Sequence, residues 1–360
     1  MPKATAKYPL SGIFAIAKPS GPTSMSLVND VKKHVVGSRL FVEEAKLKST
    51  KGSGTSRRKS KYGREAVKIG QGGTLDPLAD GVLVIGVGKG TKKLTEFLDC
   101  VKVLGEFSYD VNLFMAWIQE YRTTCLLGCE TDSYDSEGAQ VRRAPWKHVT
   151  KEQVEKALEP FRGEIFQTPP IFSALKMDGK PLYEYAREGI PLPRPIEKRK
   201  VTIHSIELVE WKGADHSFRY PEKKFTPEQQ KAVETALKGV EESTTVQDNP
   251  ETDTDTEAVP TAFVIQMKVS GGTYVRSVVH DLGHALGSAA HVVTLTRTRQ
   301  GRFALEPSEG DYGCVPWEVF VKANTDPGEA DEDGWREWER EVVERLDVIE
   351  DKKTHPEAKT

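Results

Sequence analysis

The chain has 360 residues, 29% of them charged and 37% hydrophobic, enough to bury one large core carrying polar insertions. No run of about 18 apolar residues exists, which excludes a membrane-spanning helix, and the segment before "GIFAIAKPSG" is too short and too polar for a secretory signal. Four cysteines in this length do not make a disulfide framework, so a reducing, intracellular setting is expected. The formal net charge of −3 is unevenly spread: residues 237–258 carry roughly −6 and residues 326–360 roughly −7, leaving roughly +10 for a polyanionic partner.

Along the chain, "GIFAIAKPSGPTSMSLVNDVKKHVV" predicts a short strand, a Pro–Gly turn and an amphipathic helix. The helix is capped at Thr23 or Ser24 and carries Leu27, Val28, Val31 and Val35 on one face. A polar segment follows with nine Lys or Arg between residues 44 and 68, among them Arg57, Arg58, Lys59 and Lys61. It reads equally as a solvated loop and as a segment ordered by an anion, and "RRKSK" also fits a nuclear address. In "GQGGTLDPLADGVLVIGVGKG", the glycines and Pro77 place Asp76 on a tight bend that leads into the buried strand Val82, Leu83, Val84 and Ile85. Thr150 and Gln153 form a capping box for a helix through Val154, Leu158 and Phe161. "RKVTIHSIELVEW" alternates as a half-buried strand, residues 222–260 have the composition of a partly helical insertion, and "TAFVIQMKVSGGTYVRSVVHDLGHALG" gives strand, glycine turn and helix. Strands separated by helices and long insertions, without a βαβ repeat, imply an α+β fold on a mixed, largely antiparallel sheet flanked by helices. The expected organisation is one catalytic domain over 1–325, with insertions near 40–66, 103–119 and 222–260, and an acidic tail over 326–360.

Asp76 is either a turn cap or a chemical tool. A phosphate-binding loop is excluded because position 83 is Leu and Lys89 is followed by Gly90; the dinucleotide pattern fails at Thr91. A glycoside hydrolase needs a second carboxyl group across the bond, and nothing sets Asp80 opposite Asp76. "HDLGH" gives His280 and His284 the zinc-protease spacing but has Asp where that motif needs Glu, and Cys125 and Cys129 lack a second pair. No metal is expected.

Five stretches, in order, resemble the TruB family of tRNA pseudouridine synthases: "GIFAIAKPSGPTS", "GGTLDPLADGVLVIGVGKGTK", "YRTTCLLGCETDSYDSEG", "QTPPIFSALKMDGKPLYEYAREGIPLPRP" and "GGTYVRSVVHDLGHALGSAAHVVTLTRTRQGRF". The likeness is nearest to the fungal and animal members that modify uridine 55 in the T arm. It implies the pseudouridine synthase fold, and it implies that Asp76 is the nucleophile in a reaction that cuts uracil N1 from ribose C1′, turns the base and rejoins it through C5. No electrons or groups enter or leave, so no cofactor is implied. Arg276 matches the arginine that pairs with the nucleophile, and an adjacent cation favours an ionised carboxylate. Tyr121 matches the tyrosine that stacks on the extruded base and takes part in proton movement. Tyr274 and Leu295 match residues lining the uracil pocket. Lys18, Pro19 and Lys176 fall where support of the catalytic turn and backbone contacts are implied. Gln71 stands where bacterial relatives carry His; it can hydrogen-bond but cannot titrate.

The resemblance also implies tRNA as partner, with messenger RNA as a further candidate, an enzyme acting as a monomer without a membrane, and a nuclear or mitochondrial location. Bacterial members end in a small RNA-binding domain that is not recognisable here, which makes the basic segment near residue 50 a candidate for part of that grip. Residues 103–119, "VLGEFSYDVNLFMAWIQ", interrupt the family's short path from Lys to the catalytic-site tyrosine. They begin with Val and end with Gln, as a translated in-frame intron would, and the expectation is that the working enzyme lacks them. The rival from another class is a non-catalytic tRNA-binding or RNA-folding factor on the same fold.

Overall fold

The computed structural model of the protein describes residues 8–51, 66–97, 118–237, 258–326 and 328–350. From the N-terminal side these form β1 (Gly12–Lys18), α1 (Ser24–Val35), α2 (Glu44–Lys51), β2 (Ile69–Gln71), β3 (Asp80–Val87) and a 3₁₀ helix (Gly88–Phe97). Then come β4 (Gln119–Leu127), β5 (Cys129–Thr131), β6 (Gln140–Arg143), α3 (Lys151–Ala157), β7 (Gly163–Gln167), β8 (Lys176–Met177), β9 (Lys180–Pro181), α4 (Leu182–Glu188), β10 (Arg199–Gly213) and α5 (Pro227–Leu237). The remainder forms β11 (Ala262–Val269), α6 (Val275–Ala285), β12 (Ala290–Gln300), β13 (Phe303–Ala304), β14 (Tyr312–Pro316), α7 (Trp317–Thr325), α8 (Glu337–Glu344) and β15 (Asp347–Val348). No described helix is long and apolar enough to cross a membrane. The mixed sheet with flanking helices expected from the sequence is present.

The chain divides into two compact units, one from residues up to Trp117 and from Thr298 onward, the other from Ile118 to Arg297. In the first unit β1 is the axis. It pairs antiparallel with β3 from Gly12↔Val87 to Lys18↔Gly81, parallel with β14, and antiparallel with β15. Its alternating residues Ile13 and Ala15 meet Val82, Val84, Leu94, Phe97 and Phe303 in one apolar cluster. Helix α1 buries Leu27, Val28, Val31 and Val35 as the sequence predicts. Thr23 is its cap, accepting from the Ser26 amide at 3.2 Å, which leaves Ser24 for another task.

The stretch read as an acidic tail is built into this unit over its described residues. Trp338, Val342 and Leu346 are buried, the Ser38 hydroxyl donates to Glu339, and β15 joins β1. Net charge hid an amphipathic pattern, because the acidic residues of α8 lie mostly on its outer face while its apolar residues recur at helical spacing.

In the second unit the strands run in the order β12, β4, β11, β10, β7. Strand β11 pairs antiparallel with β4 and with a bulged β10, which pairs antiparallel with the edge strand β7. The Thr150–Gln153 capping box forms as expected and opens α3. Within the insertion expected over 222–260, α5 packs on the small β8–β9–α4 group, where Met177, Leu182, Tyr185 and Leu192 gather with Leu237. Arg57, Arg58, Lys59 and Lys61 lie outside the described residues, as do residues 103–117.

Candidate active site

In the first unit, the bend carrying Asp76 is fixed through its own main chain. Every carbonyl from Leu75 to Ala79 accepts a hydrogen bond. Ser24 Oγ donates to Leu75 O at 2.8 Å and accepts from Leu75 N at 2.9 Å. Ala79 N donates to Asp76 O at 3.1 Å, and Gly21 N donates to Pro77 O at 2.8 Å. Ser20 Oγ donates to Leu78 O at 2.6 Å. Lys18, buried at 2% exposure, spends its three donors on Pro19 O (2.9 Å), Pro77 O (3.2 Å) and Ala79 O (2.5 Å). A buried carbonyl left without its bond costs about 1–3 kcal/mol, and the bonds to Leu75 O and Ala79 O are buried, which favours this path of the bend. The Asp76 side chain is half-buried on it.

Beside the bend, Gln71 Nε2 donates to Thr74 Oγ1 at 3.0 Å, while its Oε1 is buried without a hydrogen-bond partner among the described residues. Gln300, buried at 1%, donates to Gly72 O and so ties the glycine turn to the end of β12.

In the second unit, Tyr121 is buried on β4 and donates its hydroxyl to Gln119 Oε1 at 2.7 Å, while Arg297 Nη1 lies 3.5 Å from the same hydroxyl oxygen. Leu295 is buried on β12, two residues before Arg297. Tyr274 is the residue preceding α6, and Gln167 holds its backbone from both sides, accepting from its N–H at 2.8 Å and donating to its O at 2.9 Å. Lys176 is exposed on β8.

Arg276, in the first turn of α6, is 4% exposed. Its guanidinium donates to Ser133 O at 2.5 Å and to Phe172 O at 3.3 Å, and its Nε lies 3.7 Å from Asp135 Oδ2. The loop that supplies Ser133 and Asp135 is self-braced. Asp135 Oδ1 accepts from Ser133 Oγ at 2.6 Å and from Glu137 N at 3.1 Å, and Asp132 Oδ1 accepts from Ala139 N at 2.8 Å. Tyr134 turns the corner at φ 63°, a left-handed conformation uncommon outside glycine, and its ring stacks on His280 at 4.0 Å.

His280 and His284 follow Arg276 at intervals of four, so all three share one stripe of α6. Glu130 of β5 meets that stripe, with Oε1 3.1 Å from His280 Nε2 and Oε2 3.0 Å from His284 Nε2. These three side chains could hold a metal ion, since their donor atoms lie within 4.8 Å of one another. The same atoms are already engaged: Arg142 Nε is 3.2 Å from Glu130 Oε2, and His280 Nδ1 is 3.0 Å from Asp281 Oδ1. Burial opposes the charge on His280, but its bonds to Asp281 and Glu130 outweigh burial and carry its pKa up to about 9. Burial likewise opposes the Glu130 charge, and the two histidines overcome it, holding that carboxyl well below its ordinary range. The arrangement works as an ion-pair staple between α6 and β5.

The model of the TruB family pseudouridylate synthase N-terminal domain matches residues 59–226. The tRNA pseudouridine synthase 4 of Schizosaccharomyces pombe is 35% identical over 358 residues, covering 86% of this chain and 82% of that one. The chain belongs to the TruB family. Another relative, tRNA pseudouridine synthase 4 of Saccharomyces cerevisiae, is 33% identical over 96% of this chain and 88% of its own. A solved Cbf5–Nop10–Gar1 complex aligns at 20% identity and a TM-score of 0.46 over 92% of this chain and 59% of that chain.

Placed on this TruB-family chain, the residues named from sequence fall into two sets. Lys18, Pro19, Gln71 and Asp76 are gathered around the bend of the first unit. Tyr121, Lys176, Tyr274, Arg276 and Leu295 belong to the second. Sequence reasoning did not single out Ser20, Gln119, Ser133, Asp135, Gln167 or Arg297. Ser133 and Asp135 carried a signal, since "ETDSYDSEG" packs turn-forming and acidic residues into one short stretch. Gln167 carried none, because one amide in a strand looks like any other.

Proposed function

We propose that this TruB-family enzyme isomerises uridine to pseudouridine in tRNA, with uridine 55 of the T arm as its target. Family membership supports the reaction, and the relatives named above are tRNA enzymes. The observation that carries the reading is the bend that presents Asp76, immobilised through five consecutive carbonyls. A carboxylate nucleophile profits from such rigidity, because proximity and orientation supply a large share of the rate. Asp76 is assigned as nucleophile on a flipped-out uridine, Arg276 as the cation that pairs with it, and Tyr121 as the stacking platform. The C1′–N1 bond breaks and a C1′–C5 bond forms, C5 gives up its proton and N1 takes one up, so atoms balance without a cofactor. Gln71, Tyr274 and Leu295 are assigned to the base pocket and Lys176 to the RNA backbone. Lys18 and Pro19 are assigned to the bend, since the Lys18 ammonium is spent there. The basic cluster Arg57, Arg58, Lys59 and Lys61 is kept as an RNA contact, the enzyme as a monomer, messenger RNA as a further substrate, and the nucleus or mitochondrion as its place.

Incubation with a tRNA transcript, followed by mapping of pseudouridine, tests the reading. Asp76→Asn keeps the shape but removes the nucleophile, so isomerisation is expected to vanish while tRNA affinity stays within a few-fold. Turnover by Asp76→Asn within tenfold of the parent would overturn the assignment. A parent that binds tRNA and leaves no pseudouridine would favour the non-catalytic binding factor.

A further inference from the structure

The stretch "GVGKGTKKLTEF" serves neither as a nucleotide loop nor in the chemistry assigned above, yet it is built with care. It forms a 3₁₀ helix, Gly88–Phe97, lying flush against β1. The reason is a glycine seam: a Cβ on Gly90 would stand 1.9 Å from Gly12 O, and one on Gly86 would stand 2.9 Å from the Gly90 backbone. Leu94 and Phe97 anchor the helix in the apolar cluster of the first unit. In a 3₁₀ helix residues three apart eclipse, so Lys89, Lys92 and Thr95 fall on one row, and all three are exposed. Lys68 joins them, because Gly88 N donates to Lys68 O at 2.8 Å, and its side chain is exposed too. The neighbouring acid Glu96 lies 3.8 Å from Lys93.

We infer that Lys68, Lys89 and Lys92 form a fixed phosphate-binding strip that grips the RNA backbone away from the reacting nucleotide. This rests on the reading of the protein as an RNA-modifying enzyme. Charge complementarity selects the ligand, since the chain outside its two acidic stretches carries roughly +10 and this row is a rigid part of it. A row carried on a packed backbone pays ordering entropy on binding for its lysine side chains alone. The strip lies where β3 ends and the Asp76 bend where it begins, a separation of roughly 25 Å for a strand of this length. It therefore contributes to holding the RNA and not to the chemistry at Asp76.

The test measures tRNA affinity against salt for the full-length chain with Lys68, Lys89 and Lys92 changed to Gln. A control changes the exposed Lys147, Lys151 and Lys156 to Gln. Each lysine–phosphate pairing removed should reduce the log–log slope by about 0.7 to 0.9, so the strip variant should fall by about 2 to 3. KM for tRNA should rise with kcat unchanged, and the Lys→Arg version should keep the parent slope. A slope equal to the parent's, or an equal loss in the control, would overturn the proposal, as would a loss of kcat at unchanged slope. Failure of the enzymatic reading looks different: the parent would make no pseudouridine, and the slopes would still decide the strip.

Discussion

The bend from Leu75 to Ala79 is held by its main chain, whereas the loop from Thr131 to Ala139 is held largely by its side chains. In the first, donors from Lys18, Ser20, Gly21 and Ser24 converge on consecutive carbonyls. In the second, Asp132 and Asp135 brace the loop from inside, and Asp135 carries the charge beside Arg276. Both present a charged side chain with little freedom. They differ in what disturbs them: the first depends on hydrogen-bond geometry, the second on the balance of buried charge.

Removing the donor should give the largest effect. Lys18→Met takes the side-chain donor from Ala79 O and Pro19 O and leaves Pro77 O with Gly21 N alone, and it is expected to cost about 4 kcal/mol of stability, with isomerisation lost. Urea titration and pseudouridine mapping check this. A variant as stable as the parent would show that Ser20, Gly21 and Ser24 hold the bend without Lys18.

Acid should separate the two regions next. His291, in the second unit, donates from Nδ1 to Cys129 O at 2.8 Å, while its Nε2 is buried without a partner among the described residues. Burial pushes its pKa down to about 4. An unfolded histidine titrates near about 6.5, so below that pH the unfolded chain takes up a proton that the folded chain refuses. The stability His291 provides is therefore present above about pH 6.5 and is lost as pH falls to about 4, by about 3 kcal/mol in all. Melting temperatures of the parent and of His291→Gln across that window check it: the parent should lose stability more steeply, and parallel curves would remove His291 from the account.

The smallest of the three effects belongs to Asp135→Asn, which keeps the shape and the acceptor for Ser133 but removes the charge beside Arg276. About 2 kcal/mol is expected, less than for a fully broken buried pair, because two carbonyls still hold the guanidinium. If Asp135→Asn costs more than Lys18→Met, the contrast between the two regions is reversed.

Much of the first region was legible in sequence. Gly72, Gly73 and Pro77 announce a bend, and the apolar run after it announces a buried strand. What the sequence concealed was distance along the chain, since Lys18 and Ala79 meet across 61 residues. In the second region Arg276 was found through the resemblance, but its setting was not. Asp135, Ser133 and Phe172 O lie more than a hundred residues away and are joined to it only by the fold. The stretch after residue 325 misled for a different reason: its composition is acidic, and composition discards the order in which Trp338, Val342 and Leu346 recur.

The way the Asp76 bend is secured also determines where inheritance can drift. A carbonyl oxygen is supplied by every codon, so the acceptors at Pro77 and Leu78 survive changes of side chain that leave the backbone path alone. The donors have no such latitude: the ammonium at 18 and the hydroxyls at 20 and 24 belong to side chains and are lost when those side chains change. The demand for an accurately placed nucleophile is thus recorded in the gene more than fifty residues ahead of the nucleophile itself.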